Sequence, residues 1–234
     1  MIKSLKKLLE NQNVQVIFDV GANVGQTAVK FRRGFNDAKI FCFEPFEEAY
    51  TKLVENSQSL GLIETFNLAV SNKSDRSPFY FNKSNVTNSL LPISPEAKTF
   101  VPPDMVEPLG CLYVDTTTLN DFCLMRGIKE IQILKMDIQG GELMALQGAT
   151  NLLKDFCIDV IYTEVLFAKH YEGQAFFRDI RNFLNSYGYI FYGLDHVVYS
   201  ISEKGSKFLT WGDAIFISPK IVKSVTSDIA ISLE

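Results

Sequence analysis

The chain has only one Trp, two His and four Cys among its 234 residues. Cys42, Cys111, Cys123 and Cys157 form no CxxC pair, and His170 and His196 are too far apart to be a helical ligand pair. The usual zinc and dithiol motifs are therefore missing, and no metal site is assigned. Disulfides would need an oxidising compartment, to which nothing in the sequence points. Basic excess is missing too: 23 Lys and Arg stand against 27 Asp and Glu, a net charge of −4. A protein that tracks phosphates normally carries the opposite balance, so nucleic acid is not expected as the main partner. No apolar run reaches the roughly 18 residues of a membrane span. The first ten residues have the charge of a signal peptide's start but no apolar stretch behind it. Ile2, Leu5 and Leu9 instead sit at helical spacing, which predicts a short amphipathic helix within residues 1–13. The expected location is the cytoplasm.

What is present suits a soluble globular fold. Hydrophobic residues make up 47% and charged residues 21%, enough apolar material for a sizeable core. The length fits one domain over residues 1–234. Val16 to Val20 is a buried-strand run ending at glycines, followed by a helix from Gln26 to Arg33. Lys39 to Glu44 is a second strand, Pro45 opens a helix stopped by Gly61, and Thr65 to Val70 is a third strand. Strands separated by helices predict right-handed βαβ units and a parallel sheet, an α/β class. Between Ser71 and Gly110 the alternation breaks, and six of the eight prolines fall there. Residues 71–112 are expected to be loops or a hairpin, with Phe79 to Phe81 as a short strand and a possible role as a substrate lid. Alternation resumes with strands at Ile131 to Asp137 and Asp159 to Glu164. Helices follow at Glu142 to Lys154 and Gln174 to Tyr187, with closing strands at Tyr189 to Leu194 and Ala214 to Ser218. Residues 220–234 are expected to be a loose tail.

Three places carry chemistry. In Asp19-Val20-Gly21-Ala22-Asn23-Val24-Gly25 a strand runs through a glycine turn into a helix. The glycines let the backbone approach a ligand, and the free N–H groups at the helix start suit an anion. The spacing is G-x-N-x-G, not the G-x-G-x-x-G of a dinucleotide site. Glu44 ends the second strand about 20 residues on, where an acid accepts hydrogen bonds from both hydroxyls of an unmodified ribose. Asp137 and Glu164 end two neighbouring central strands, the edge at which open α/β sheets bind ligands. Paired carboxylates there can orient a cationic amine, hold a metal, or deprotonate a substrate hydroxyl. His170 follows in a loop that can reach the same crevice. Gly140 and Gly141 permit close approach, and Glu142 reads as a cap for the helix it opens.

The set resembles the FkbM-type S-adenosylmethionine-dependent methyltransferases, within the class I Rossmann-like group. The resemblance runs from about Val16 to Ser218. Besides the glycine turn it rests on Phe43-Glu44-Pro45, Leu68-Ala69-Val70-Ser71, Thr87-Asn88-Ser89-Leu90, Leu134 to Gly140 with Glu142, and Tyr171-Glu172-Gly173-Gln174. It implies a doubly wound seven-stranded sheet, mostly parallel with an antiparallel last strand and helices on both faces. It also implies S-adenosyl-L-methionine as cofactor and methyl transfer to a hydroxyl of a sugar or other small metabolite. On the matching motifs, Asp19, Gly21, Ala22, Asn23 and Gly25 would surround the methionine part, Glu44 the ribose and Ala69 the adenine. Asp137 would sit beside the methyl-donor end. The candidate bases are Asp137 first, then Glu164 or His170, with Asn85, Asn88 and Ser89 shaping the acceptor pocket. Gln139 stands where Glu is frequent in the family, and Asn120 where Asp is usual. The rival readings are an NAD-dependent oxidoreductase and a non-catalytic nucleoside-binding module. A metal-dependent enzyme, with Asp137 and Glu164 as oxygen ligands, is a subsidiary variant of the methyltransferase reading.

Overall fold

The computed structural model describes residues 1–201 and 205–226. Seven strands form one sheet: β1 (Val16–Val20), β2 (Lys39–Phe43), β3 (Ile63–Phe66), β7 (Ile131–Met136), β8 (Ile158–Leu166), β9 (Ile190–Ile201) and β10 (Lys207–Ile217). Their order across the sheet is β3-β2-β1-β7-β8-β10-β9. The first five run parallel. The last strand, β10, lies antiparallel between β8 and β9. This is the doubly wound Rossmann-like sheet with an antiparallel last strand, and the order reverses between β1 and β7.

Period-two alternation divides the core in two. Phe18, Val20, Phe43, Leu134 and Met136 face α4 (Leu119–Arg126), α5 (Glu142–Gln147), α6 (Thr150–Lys154) and α7 (Phe177–Ser186). Ile17, Ile40, Cys42, Ile133 and Val160 face α1 (Ile2–Leu8), α2 (Gln26–Gly34), α3 (Glu47–Ser57) and α8 (Pro219–Thr226). A strand buried on both faces has no polar side to show, which is why these strands read as unbroken apolar runs. Among the described residues, no helix is long and apolar enough to cross a membrane.

Several boundaries differ from the sequence reading. The third strand is two: β3 ends at Phe66, and Ala69–Val70 is a separate strand, β4, which pairs with β6 (Pro108–Thr117). β6 also takes β5 (Arg76–Asn82) antiparallel. The proline-rich segment thus carries a second, three-stranded sheet around short 3-10 turns at Asn85–Thr87 and Pro95–Thr99. The helix from Glu142 is broken at Gly148, and the closing strands are longer than their apolar runs suggest. The tail is corrected over its first part, since α8 spans Pro219–Thr226 and buries Ile221. Residues 227–234 lie outside the described residues.

At the break, the Gly148 carbonyl accepts from Asn120 N at 3.0 Å, and the position has room only for glycine. A Cβ there would stand 2.2 Å from the Ser71 carbonyl oxygen, at the point where the chain leaves β4. Gly148→Ala must push that backbone away, an overpacking cost of roughly 1–3 kcal/mol. Differential scanning calorimetry should therefore find the melting temperature lower by roughly 3–10 °C. Gly193→Ala, at an ordinary φ with no atom within 4 Å of the added Cβ, is the control without a steric clash.

Candidate active site

The carboxyl ends of β1, β2, β7 and β8 carry the site. Under the glycine turn, Lys135 and Asp19 are register partners on adjacent strands. The Lys135 ammonium lies 3.0 Å from Asp19 Oδ1 and donates to the Gly21 carbonyl at 3.1 Å. Burial works against the ammonium, but the carboxylates of Asp19 and Asp137 outweigh it and raise its pKa. Gly21 has a positive φ of 75°, and a Cβ there would fall 1.9 Å from the Asp137 carbonyl oxygen. No other residue fits between these two loops. Asn23 also adopts a positive φ, 47°, and its side chain accepts from Val24 N at 2.8 Å.

Glu44 is tied to this turn. Its Oε2 accepts from Asn23 N and its Oε1 from Phe46 N, both at 2.9 Å. Burial pushes its pKa up to about 7, against the pull of those two bonds. Each oxygen keeps a second lone pair for a ligand.

Across the turn, Gln139 links the two strand-end acids. It too has a positive φ, 57°. Its Nε2 donates to Asp137 Oδ1 at 2.8 Å and to Glu164 Oε2 at 2.9 Å. Its Oε1 accepts from the buried Tyr171 hydroxyl at 2.7 Å, and its carbonyl accepts from Ser89 Oγ at 2.7 Å. A neutral amide at this position supplies both of its hydrogens to carboxylates, which a Glu could not. Burial, then Asp137, Glu142 and Asp213, raise the Glu164 pKa well above the usual carboxylate range. Glu142, buried at the start of α5, accepts from Ile138 N at 2.9 Å and is raised to about 7, mainly by burial.

Two cavities meet here. The first, about 510 Å³ including its open mouth, is lined by Gly21, Glu44, Pro45, Ala69, Phe79, Asn85, Asn88 and Asp137, among others. The second, about 880 Å³, is lined by Val86, Met105, Asp137, Glu164, His170, Tyr171, His196, Trp211 and Asp213, among others. Asp137, Gln139 and Val86 belong to both walls.

The candidate residues divide accordingly. Gly21, Glu44, Ala69 and Asp137 line the first cavity, while Asp19, Ala22, Asn23 and Gly25 build the turn behind its wall. Asp137, Glu164 and His170 converge on the second. Asn85 and Asn88, assigned by sequence to the acceptor side, stand on the first cavity, and Ser89 is spent on the Gln139 carbonyl. Sequence reasoning missed Lys135, Trp211 and Asp213. Lys135 had a legible signal, a lysine two positions before a strand-end Asp in an otherwise apolar strand. His170 Nδ1 lies 3.1 Å from the Ala168 carbonyl, which requires the hydrogen on Nδ1 and leaves Nε2 with a free lone pair. Nε2 is buried with no hydrogen-bond partner. Among the described residues, no group of three or more His, Cys, Asp and Glu side chains is placed to hold a metal ion.

A doubly wound sheet with a cavity at its switch point, a glycine turn and an acid at the end of the next strand has its cavity where open α/β sheets bind ligands. The family model described as the methyltransferase FkbM domain matches residues 19–191. The chain belongs to the FkbM methyltransferase family, and this decides against hydride transfer. It is 29% identical over 191 residues to the 2-O-methyltransferase NoeI of Sinorhizobium fredii, covering 79% of this chain and 76% of that protein. It is 26% identical over 149 residues to the hexuronic acid methyltransferase AglP of Haloferax volcanii, covering 63% of this chain and 55% of that protein. Among solved structures it is similar to a precorrin-6y C5,15-methyltransferase of Geobacter metallireducens. The TM-score is 0.48 and the identity 10%, covering 93% of this chain and 87% of that one.

The raised acids set the pH dependence of stability. Glu44 and Glu142 bind protons in the folded state up to about pH 7, whereas unfolded glutamates release theirs near pH 4.3. The folded state thus holds more protons in this window, and stability falls as pH rises from about 4.5 to 7. Urea unfolding without ligand should show this decline, and Glu142→Gln should flatten it. Gln139→Glu, which adds a third carboxyl between Asp137 and Glu164, should steepen it.

Proposed function

We propose that this chain transfers the methyl group of S-adenosyl-L-methionine to a hydroxyl oxygen of a sugar or similar small polyol. The observation that carries the reading is the meeting of the two cavities at Asp137 and Gln139. One is shaped for the donor, the other for an acceptor, and they share a wall where the two would react. The relatives support the oxygen and the sugar, one being named for 2-O-methylation and the other for a hexuronic acid.

The first cavity suits the donor by its chemistry. Glu44 would accept from the ribose hydroxyls, and the apolar walls at Leu68, Ala69 and Phe79 would flank the adenine. Asn88 Nδ2 is buried on this wall with no hydrogen-bond partner, a donor matched to a ring nitrogen or another acceptor of the ligand. When bound, the cofactor supplies a methyl group on a cationic sulfur, displaced in line by oxygen. The protein's share is then to align the acceptor, exclude water and take one proton.

His170 Nε2 is the group best set for that proton. Asp137 Oδ1 is already held by Gln139, and Glu164 tends to keep its own proton. Burial lowers the His170 pKa, so the imidazole is a neutral base at and above neutral pH. As the C–O bond forms, the hydroxyl proton passes to Nε2. Asp137 and Glu164 orient the acceptor. The segment 71–112 acts as the wall that closes both cavities, through Val86, Asn88, Met105 and Val106.

Calorimetric titration with S-adenosylhomocysteine, with NAD as control, tests the donor site. Homocysteine-product binding is expected and NAD binding is not. Glu44→Ala should weaken binding by roughly 10- to 100-fold, the value of hydrogen bonds to a charged group. Binding of NAD alone would overturn the reading. With an acceptor identified, His170→Gln should lower kcat by about 100-fold or more and remove the acid limb of the pH profile. Its affinity for S-adenosylhomocysteine should not change.

A further inference from the structure

We infer that the second cavity takes an uncharged polyhydroxylated acceptor, a neutral pyranoside or its equivalent, and turns away acceptors that carry a carboxylate. The inference rests on the methyltransferase reading above and narrows the acceptor class within it.

The wall of this cavity holds Asp137, Glu164 and Asp213, with His170, His196, Tyr171 and Trp211, and neither Lys nor Arg is among its lining residues. Two of the acids and His196 come from one row across the sheet. Glu164 is the register partner of Asp213, and Asp213 that of His196. The nearby cations are committed elsewhere. Lys135 lies below the floor against Asp19 and the Gly21 carbonyl. Lys169, next to His170 in sequence, pairs with Glu172 at 3.1 Å and with Glu96 at 3.6 Å. A bound carboxylate is held best by a guanidinium or an ammonium, and this wall supplies neither while presenting three carboxyl side chains.

A polyol meets the opposite situation. Its hydroxyls donate, and the walls accept. The independent sign that a donor belongs here is His170. Its side chain is 4% exposed, its Nδ1 hydrogen is directed at the Ala168 carbonyl, and its Nε2 lone pair is buried without a partner. Leaving such an acceptor dry and unpaired is costly, and an incoming hydroxyl satisfies it. Asp213 Oδ2 lies 2.9 Å from the Tyr162 hydroxyl, which it shares with Asp195, and 3.8 Å from His196 Nδ1, leaving Oδ1 to accept a second hydroxyl. Trp211 supplies an apolar ring against which the C–H face of a pyranose can lie.

The test uses the full chain with S-adenosylhomocysteine bound. Ligand-observed NMR compares methyl pyranosides with their 6-carboxylate counterparts at matched millimolar concentrations. Neutral sugars are expected to bind at least about tenfold more tightly, because a carboxylate brought here loses its hydration with no guanidinium or ammonium to replace it. Asp213→Asn is expected to shrink that preference. Equal or tighter binding of the carboxylates overturns the inference, and so does the failure of every neutral sugar to bind. Because S-adenosylhomocysteine binding is scored separately, its loss points to failure of the methyltransferase reading instead.

Discussion

The site depends on one buried ion pair. Lys135 and Asp19 face each other across β1 and β7, and neither is more than 7% exposed. Such a pair gains little stability over apolar neighbours, because desolvation offsets the attraction, but losing one partner costs roughly 3–5 kcal/mol. What the pair contributes here is position. By donating to the Gly21 carbonyl, Lys135 holds the glycine turn against the Asp137 backbone, where a Cβ would not fit. The turn then presents Asn23 N to Glu44, so the donor-side acid is oriented by the same anchor. The strand order reverses between β1 and β7, and the pair crosslinks the two strands at that reversal.

Gln139 plays the matching part on the acceptor side. Its amide spans Asp137 and Glu164, its carbonyl and side-chain oxygens hold Ser89 and Tyr171, and its backbone sits in the left-handed region to do so. The segment carrying Ser89 and the loop carrying Tyr171 and His170 are therefore fastened to the floor through one residue. Gln139 is thus a neutral clamp that lets two carboxyls stand side by side.

Much of this was legible because parallel strands buried on both faces announce themselves. Val16–Val20 and Ile131–Met136 were readable as strands, and their ends marked Asp19 and Asp137. Pattern failed where pairing is long-range. β6 carries a glycine, a proline and exposed Leu109 and Tyr113, and it is a strand because β5 and β4 flank it. Position 148 has room only for glycine because the Ser71 carbonyl passes beside it, a contact no local window contains. In the site, glycines and strand-end acids were visible by type and spacing. The side on which Asn88 and Ser89 point was not, since it depends on how the small sheet docks. Trp211 and Asp213 were hidden in a strand whose boundaries depend on its pairing with β8 and β9.

The electrostatics of the two cavities form a single design. Asp137, Glu164 and Asp213 gather where the cavities meet, and the cations nearest them are already paired. Burial raises the pKa of Glu164 and of Asp213, so the protein alone holds back some of the negative charge that its composition allows. A cluster of this kind is unfavourable alone and gains its complement from a positive ligand group. A sulfonium is such a group, whereas the neutral thioether left after transfer is not. On the proposed function, these walls would complement the charged donor better than its product, while the neighbouring cavity would admit hydroxyls rather than anions. On that reading, donor charge and acceptor neutrality both follow from placing acids along the edge of one sheet, with no Lys or Arg on the second cavity's wall.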